Sequence, residues 1–359
     1  MFLRKIVFFL IAKLVFVQAT YSDGQGDHQD LDLKFEPNMT SEDLLNYCYS
    51  HSTFCKIKHI LRQTLRYNYS QNSEDTVRVL QWNILSQVLG LREFGNASSC
   101  PTEALLWVNR RCQILYEILA FKSDVMCFQE VDHFDFLSRA LATQSYSGVF
   151  VPTTCSPCVK RDGNNGPDGC AILYSNHKYE LLGKHELVYI HSAKDSISRQ
   201  VALLVVLRNK SSLNKLCVAT THLKPLRGEY NEFLRNQQGE ELLKFVTEHA
   251  SDCPTVISGD FNAEPTEPVY RTMISDPQLN LNSAYNASNK EAKFTVWKVK
   301  KGRQVKRTLD YIFYTTKYLT VSSIVNMPRE KSISKNGIPS FIYPSDHFSL
   351  ITDFFFNKT

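Results

Sequence analysis

The sequence predicts one mixed α/β domain built as a layered sandwich. Nine short apolar runs of strand-like composition recur between residues 77 and 355. Two longer segments with apolar residues near a 3.6-residue period lie among them. No internal repeat or linker divides the chain beyond residue 76, so strands and helices are expected to share one core. Of the 359 residues, 43% are hydrophobic and 21% charged, close to globular averages. That balance excludes a disordered, collagen-like or coiled-coil protein.

Residues 1–19 read as a targeting segment. Met1–Lys5 is short and basic, Ile6–Val17 is apolar apart from Lys13, and Val17-Gln18-Ala19 places small residues at the −3 and −1 positions of a cleavage site. A secretory signal peptide fits this pattern, which would send the chain into the secretory pathway. A mitochondrial presequence is the alternative, because basic residues without acids suit it too. The net charge of +5 includes Arg4, Lys5 and Lys13, and without them it is +2. A nearly neutral mature chain has no global pull on nucleic acid, so such binding would need a local patch.

Sequons stand at Asn38, Asn68, Asn96, Asn209, Asn286 and Asn357, and the ten cysteines permit disulfides in an oxidising compartment. Residues 20–75 are polar, of mixed charge and without a sustained period, and read as a leader with one short helix near Leu44–Leu65. Residues 76–359 form the expected domain.

Its strand-like runs are Val77–Trp82, Val125–Phe128, Val149–Val151, Cys170–Tyr174, Val201–Leu207, Leu216–Thr221, Thr255–Ser258, Leu309–Tyr314 and Phe348–Phe355. Ala104–Phe121 carries Leu105, Val108, Cys112, Leu115, Ile118 and Leu119 near helical spacing, and Glu229–His249 carries Phe233, Leu242, Leu243 and Phe245. No stretch after the first nineteen residues is long and apolar enough for a membrane helix.

The strand ends stop on chemically capable side chains: Gln81-Trp82-Asn83, Gln129-Glu130, Thr221-His222-Leu223-Lys224, Gly259-Asp260-Phe261-Asn262, Leu309-Asp310-Tyr311 and Ser345-Asp346-His347. Ligand sites in α/β folds gather at strand ends. This inventory suits a hard cation with oxygen ligands and in-line attack on phosphorus. Each member alone has a structural reading: Glu130 as a solvated loop acid, Asp260 and Asn262 as an Asx-turn, His222 as a core histidine, Asp310 as one half of a structural pair. Lys298–Arg307 holds six basic residues in ten, read either as a hairpin bringing charge over the site or as a solvated turn around Gly302. Asp162–Gly169 fails as a calcium loop, and Cys155-x-x-Cys158 lacks a second pair.

The words WN, QEV, THLK, GDFNAEP, LDY and SDH, in that order, resemble the endonuclease/exonuclease/phosphatase superfamily of metal-dependent phosphoesterases. The longer runs QWNIL, CFQEVDH, NNGPDGCA and PSFIYPSDH place the resemblance on a branch related to the carbon-catabolite-repressor-type deadenylases. It covers Val77 to the C-terminus. It implies a four-layer α/β sandwich, two mixed sheets face to face with helices outside, and a monomer.

It further implies Glu130 as principal Mg²⁺ ligand, with Mn²⁺ able to substitute, Asn83 beside it and Asp346 reaching the same ion. Asp260 would deprotonate the attacking water, Asn262 hold the phosphate, and His222 donate to a phosphate oxygen. Asp310 would orient His347, which stabilises the developing charge. Lys224, Arg227, Asn165 and Asp168 would bind substrate. That branch removes the 2′-phosphate of NADP⁺ and NADPH. Here, however, its Arg after Lys224 is displaced to Arg227, and Thr153 stands where it has a Lys. A 3′→5′ exoribonuclease or deadenylase acting on an RNA 3′ end is therefore the second reading, and a non-catalytic binding module the third. Cysteines Cys112, Cys127, Cys158, Cys170 and Cys217 match an intracellular family and need no disulfide. Cys48, Cys55, Cys155 and Cys253 are the disulfide candidates in an exported chain.

Overall fold

A computed structural model describes residues 33–53, 60–67, 75–95, 100–160, 166–191, 196–250, 252–286, 291–300, 302–333 and 335–357. The targeting segment, Asn165, Cys55 and the sequons at Asn68 and Asn96 lie outside them.

In chain order the elements are α1 (Ser41–Ser50), β1 (Thr64–Arg66), β2 (Thr76–Asn83), α2 (Gln87–Phe94), α3 (Thr102–Leu105), α4 (Trp107–Phe121), β3 (Val125–Gln129), α5 (Phe134–Ala142), β4 (Tyr146–Pro152) and β5 (Gly169–Ser175). Then follow β6 (Tyr179–His191), β7 (Ser196–Asn209), β8 (Lys215–His222), α6 (Glu229–Ala250), β9 (Thr255–Asp260), α7 (Pro268–Ile274), β10 (Leu281–Ser283), β11 (Val296–Lys300), β12 (Arg303–Arg307), β13 (Asp310–Thr315), β14 (Leu319–Val325) and β15 (Leu350–Phe356). One mixed sheet runs β1-β14-β15-β2-β3-β5-β4, the other β10-β13-β9-β8-β7-β6, and β11-β12 is a separate hairpin.

The strands are buried because they carry β-branched and aromatic residues on their inner faces. Val77, Val79, Val125 and Phe354 of the first sheet meet Leu203, Val205, Val218 and Ile312 of the second in one apolar cluster. On the outer face of the first sheet, Leu80 and Met126 pack with Leu44, Leu115, Ile118 and Leu137 from α1, α4 and α5. On the outer face of the second, Leu204 and Ile257 pack with Leu242, Val246 and Val269 from α6 and α7. The expected four-layer sandwich is what the chain forms.

Every expected strand is present. Six others among the described residues were not legible as apolar runs: β11 and β12 form the basic Lys298–Arg307 hairpin, and four more escape for other reasons. β6 alternates charge with apolar residues along a sheet edge, β14 is rich in Ser and Thr, and β1 and β10 are three residues long. The helix expected at Ala104–Phe121 is interrupted at Leu106, which is extended (φ −64°, ψ 132°) and separates α3 from α4. Phe233, expected on the core face of α6, is 52% exposed. No helix among the described residues is long and apolar enough to cross a membrane.

The leader is partly built into the fold. Thr40 and Asp43 close a capping box at the start of α1, and Leu44 and Cys48 are buried against α4. The helix expected near Leu44–Leu65 ends at Ser50, and β1 pairs antiparallel with β14. Arg62 is buried, with Nη1 3.2 Å from Glu117 Oε1 and 2.7 Å from Ser349 Oγ. Arg62→Met leaves the buried Glu117 carboxylate with donors from Tyr343 and Ser349 but without its counter-ion, and is expected to cost about 3–5 kcal/mol in urea unfolding. A loss under about 1 kcal/mol would show the segment to be dispensable.

Cys112, Cys127, Cys158, Cys170 and Cys217 are buried thiols, and burial pushes Cys127 up to about 12. Cys155 and Cys253 carry thiols too, so neither of these disulfide candidates is paired here. The sequon residue Asn209 is buried and donates Nδ2 to Asp75 Oδ1 at 3.1 Å, which removes its amide from the surface.

Candidate active site

Strand register assembles the site. In the second sheet His222 lies opposite Asp260 on the parallel β8–β9 pair, and Asp260 lies opposite Asp310 on β9–β13. Three functional side chains thus leave adjacent strand ends at one level. A Cβ at Gly259 would collide with the Thr221 carbonyl, so glycine is required where β9 closes on β8 just before Asp260. In the first sheet Asn83 lies opposite Gln129, and Glu130 follows immediately with φ 55°, a left-handed turn that a non-glycine residue adopts at a cost. The loop before β15 joins the two halves: Ser345 Oγ donates to the Asn83 carbonyl (2.7 Å) and Trp82 Nε1 to the His347 carbonyl (2.7 Å).

Asp260 is the hub. It is 1% exposed, and its Oδ2 lies 3.0 Å from Asn83 Nδ2, 3.4 Å from His222 Nε2 and 3.7 Å from His347 Nε2. Asn83 Nδ2 also reaches Glu130 Oε1 at 3.2 Å, so one amide links the two acids. His347 Nδ1 lies 2.9 Å from Asp310 Oδ2, which also accepts from Thr295 Oγ1 at 2.6 Å. Burial alone would lower the His347 imidazole, but Asp310, Asp260 and Asp346 outweigh it and hold its pKa at about 10. Both ring nitrogens therefore carry protons at neutral pH, and Nε2 faces the hub as a donor.

A hard cation fits the donor set. Glu130 is only partly covered, and burial, with Asp346 and Asp168 adding to it, raises its pKa against the pull of His222. Its Oε2 accepts from the Ser86 amide at 3.1 Å. Glu130 and Asp260 thus bring carboxylate oxygens to the two sides of the Asn83 amide, the chemistry that Mg²⁺ or Mn²⁺ takes, while Asn83 Oδ1 accepts from the Leu85 amide. Asp260, Asp310 and His347 also have ligand-capable atoms within 4.8 Å of one another. The Asp310 oxygens already face His347 and Thr295, so that trio reads as an acid–imidazole relay rather than a chelate. Asp346, expected to reach the ion, has its Oδ2 on Lys298 Nζ at 2.8 Å. Burial would raise it, but Lys298 and His347 bring it down to about 2.

Asn262 has φ 52°, its amide donates to Asp260 Oδ1 (2.8 Å), and its Nδ2 donates to the Leu223 carbonyl (3.1 Å). The Asx-turn reading is therefore realised at the site itself. Lys224 and Arg227 sit on the loop after β8, half-buried and exposed respectively. Asp168 is buried and accepts from Ser156 Oγ and Thr153 Oγ1, bracing the loop before β5. The Lys298–Arg307 run is the β11–β12 hairpin. Lys298 is turned inward between Asp346 and Glu93, and Lys306 lies 3.7 Å above the Trp297 ring and pairs with Glu330. Trp297 and Tyr314, the nearby aromatic residues, are core residues.

Sequence reading missed the polar layer beneath the site. Gln81 and Gln129 bond each other's amides at 2.6 and 2.8 Å, and Gln129 Nε2 reaches Thr220 Oγ1 at 2.9 Å. The signal was present as glutamines inside apolar strands, where an unpaired amide is costly.

The sequence pattern of the Endonuclease/Exonuclease/phosphatase family matches residues 80–347, a span that holds every strand end described above. Nocturnin of Drosophila melanogaster is 43% identical over 78% of this chain and 47% of its own length. Nocturnin of Mus musculus is 42% identical over 80% of this chain and 67% of its own length. The chain thus spans about half to two thirds of these relatives. The human nocturnin catalytic domain, solved with a bound sulfate anion, superposes with a TM-score of 0.68 at 36% identity over 82% of this chain and 98% of that domain. The chain belongs to the endonuclease/exonuclease/phosphatase family, on its nocturnin branch.

Proposed function

We propose that this chain, by family an enzyme acting on phosphoesters, hydrolyses the 2′-phosphate ester of NADP(H) by in-line attack of water, with Mg²⁺ or Mn²⁺ held by Glu130 and Asp260 and the Asn83 amide between them. The convergence of Asn83, His222 and His347 on Asp260 Oδ2 carries the reading. The bound cation would neutralise charge on the phosphoryl oxygens and orient the group. Asp260 Oδ2 takes the proton of the attacking water. His347 Nε2 and His222 Nε2 donate to the phosphoryl oxygens as charge builds on them, and Asp310 keeps the His347 ring aimed. No covalent intermediate is required. Lys224 and Arg227, on the adjoining loop, supply cations for a multiply phosphorylated nucleotide.

The second reading, release of AMP from an RNA 3′ end, draws on Thr153 in place of a phosphate-reading Lys. It loses support from the hairpin, because Lys298 and Lys306 are engaged within the protein. Product analysis with the full chain separates the two. Free phosphate from NADPH, without AMP from oligoadenylate, supports the phosphatase, and AMP from oligoadenylate alone assigns the nuclease.

A further inference from the structure

Arg110 lies in the first turn of α4 and is fully buried. It is closed off from solvent, yet its guanidinium spans the two segments that carry the reacting side chains. Nε donates to the Pro344 carbonyl at 2.7 Å, directly before Ser345-Asp346-His347. Nη2 donates to the Ile84 carbonyl at 2.6 Å and to the Leu85 carbonyl, directly after Asn83. Nη1 lies 3.4 Å from Gln87 Oε1 on the same segment.

We propose that Arg110 is the positioning residue that clamps the Asn83 and His347 segments to each other from behind the site. The catalytic part of this inference rests on the phosphoester reading above, and the clamp itself does not.

The remaining anchors of the two segments show why a clamp is needed. Leu85 has φ 62°, an unfavourable left-handed turn that aims the Ile84 and Leu85 carbonyls at one nitrogen. From the front, that turn is held by Asn83 Oδ1 on the Leu85 amide (3.0 Å), by Glu130 on the Ser86 amide and by Asp132 Oδ2 on the Gln87 amide (2.6 Å). The first two of these fronting groups are the ones expected to engage the cation and the phosphate. Ser345 Oγ on the Asn83 carbonyl and Trp82 Nε1 on the His347 carbonyl tie the segments directly, and the fixed fork of Arg110 adds a grip on Ile84, Leu85 and Pro344 at once. Burial lowers its pKa to about 10, with Asp132, Glu130 and Asp346 opposing, so it stays charged at neutral pH. A lysine keeps the charge but lacks the planar fork, so its single nitrogen cannot reproduce the Nε bond to Pro344 and the Nη2 bonds to Ile84 and Leu85 in their fixed geometry.

The test compares Arg110→Lys with wild type in the full chain by amide hydrogen exchange and by kinetics on whichever of NADPH or oligoadenylate the wild type hydrolyses. Arg78→Lys, which breaks the two-point grip on Asp353 at the end of β2 opposite Asn83, serves as the stability control. The clamp predicts faster exchange at residues 84–87 and 345–347 together. It also predicts a kcat lowered roughly a hundredfold with KM little changed, whereas Arg78→Lys loses stability without losing kcat. Unchanged exchange, loosening of one segment alone, or an equal kcat loss in Arg78→Lys would each overturn the proposal. Should the wild type hydrolyse neither substrate, the exchange result decides the clamp by itself. Should Arg110→Lys not fold, Arg110→Ala with added guanidinium replaces it. Restored protection of both segments supports the clamp, and no restoration refutes it.

Discussion

Asp260→Asn is expected to lower kcat on the order of 10³-fold while leaving the folded structure in place. The substitution is nearly isosteric, and the retained amide oxygen can still accept from the Asn262 backbone at the position of Oδ1. What disappears is the negative oxygen that faces Asn83 Nδ2, His222 Nε2 and His347 Nε2. A carboxamide NH₂ there points a donor at three donors and cannot accept a proton from water. Kinetics on the product-yielding substrate, with circular dichroism and thermal unfolding alongside, check this. A variant within tenfold of wild type would remove Asp260 from the centre of the reaction.

Asp310→Asn is expected to change the pH dependence as well as the rate. With Asp310 ionised, the buried imidazole of His347 is held at about 10 and remains a cation across neutral pH. Removing that carboxylate leaves burial opposed only by Asp260 and Asp346, so the imidazole pKa falls. The alkaline limb of the kcat profile should therefore move to lower pH, with a loss of roughly 10²-fold at pH 8. The same residue makes a claim about stability. The folded pKa of about 10 lies above the unfolded value near 6.5. The folded state thus binds the proton more tightly. Its contribution is complete below about pH 6.5 and is lost as the pH rises through about 10. The stability gap between wild type and Asp310→Asn should be widest at the acid end of that window and close toward its alkaline end. An unmoved alkaline limb would show that Asp310 does not set the state of His347.

Strands β2, β3, β5, β8, β9, β13 and β15 could be read because burial on both faces makes them continuous apolar runs, and their ends could be read because polar residues interrupt those runs abruptly. β6 could not, since an edge strand half in solvent alternates like a surface segment. The break at Leu106 left no mark, because no Gly or Pro stands there. Within the site, Glu130, Asp260, Asp310 and His347 were legible as strand-end residues, whereas Thr295 and Arg110 were not. Their importance comes from pairing with residues far along the chain, and an arginine in an amphipathic helix ordinarily faces water. Lys298 was legible only as charge. Its partners Asp346 and Glu93 lie on other segments, so a run that looked like a grip for nucleic acid is in part an internal brace.

Glu130 and Asp260 organise the proposed cation-dependent phosphoester hydrolysis centre. Its most direct test is phosphate and AMP release by the full chain from NADPH and oligoadenylate, with and without Mg²⁺, beside Glu130→Gln. One substrate should turn over only with Mg²⁺, and that turnover should be abolished in Glu130→Gln with the fold intact. Turnover that persists in Glu130→Gln, or in a chelator, would contradict it.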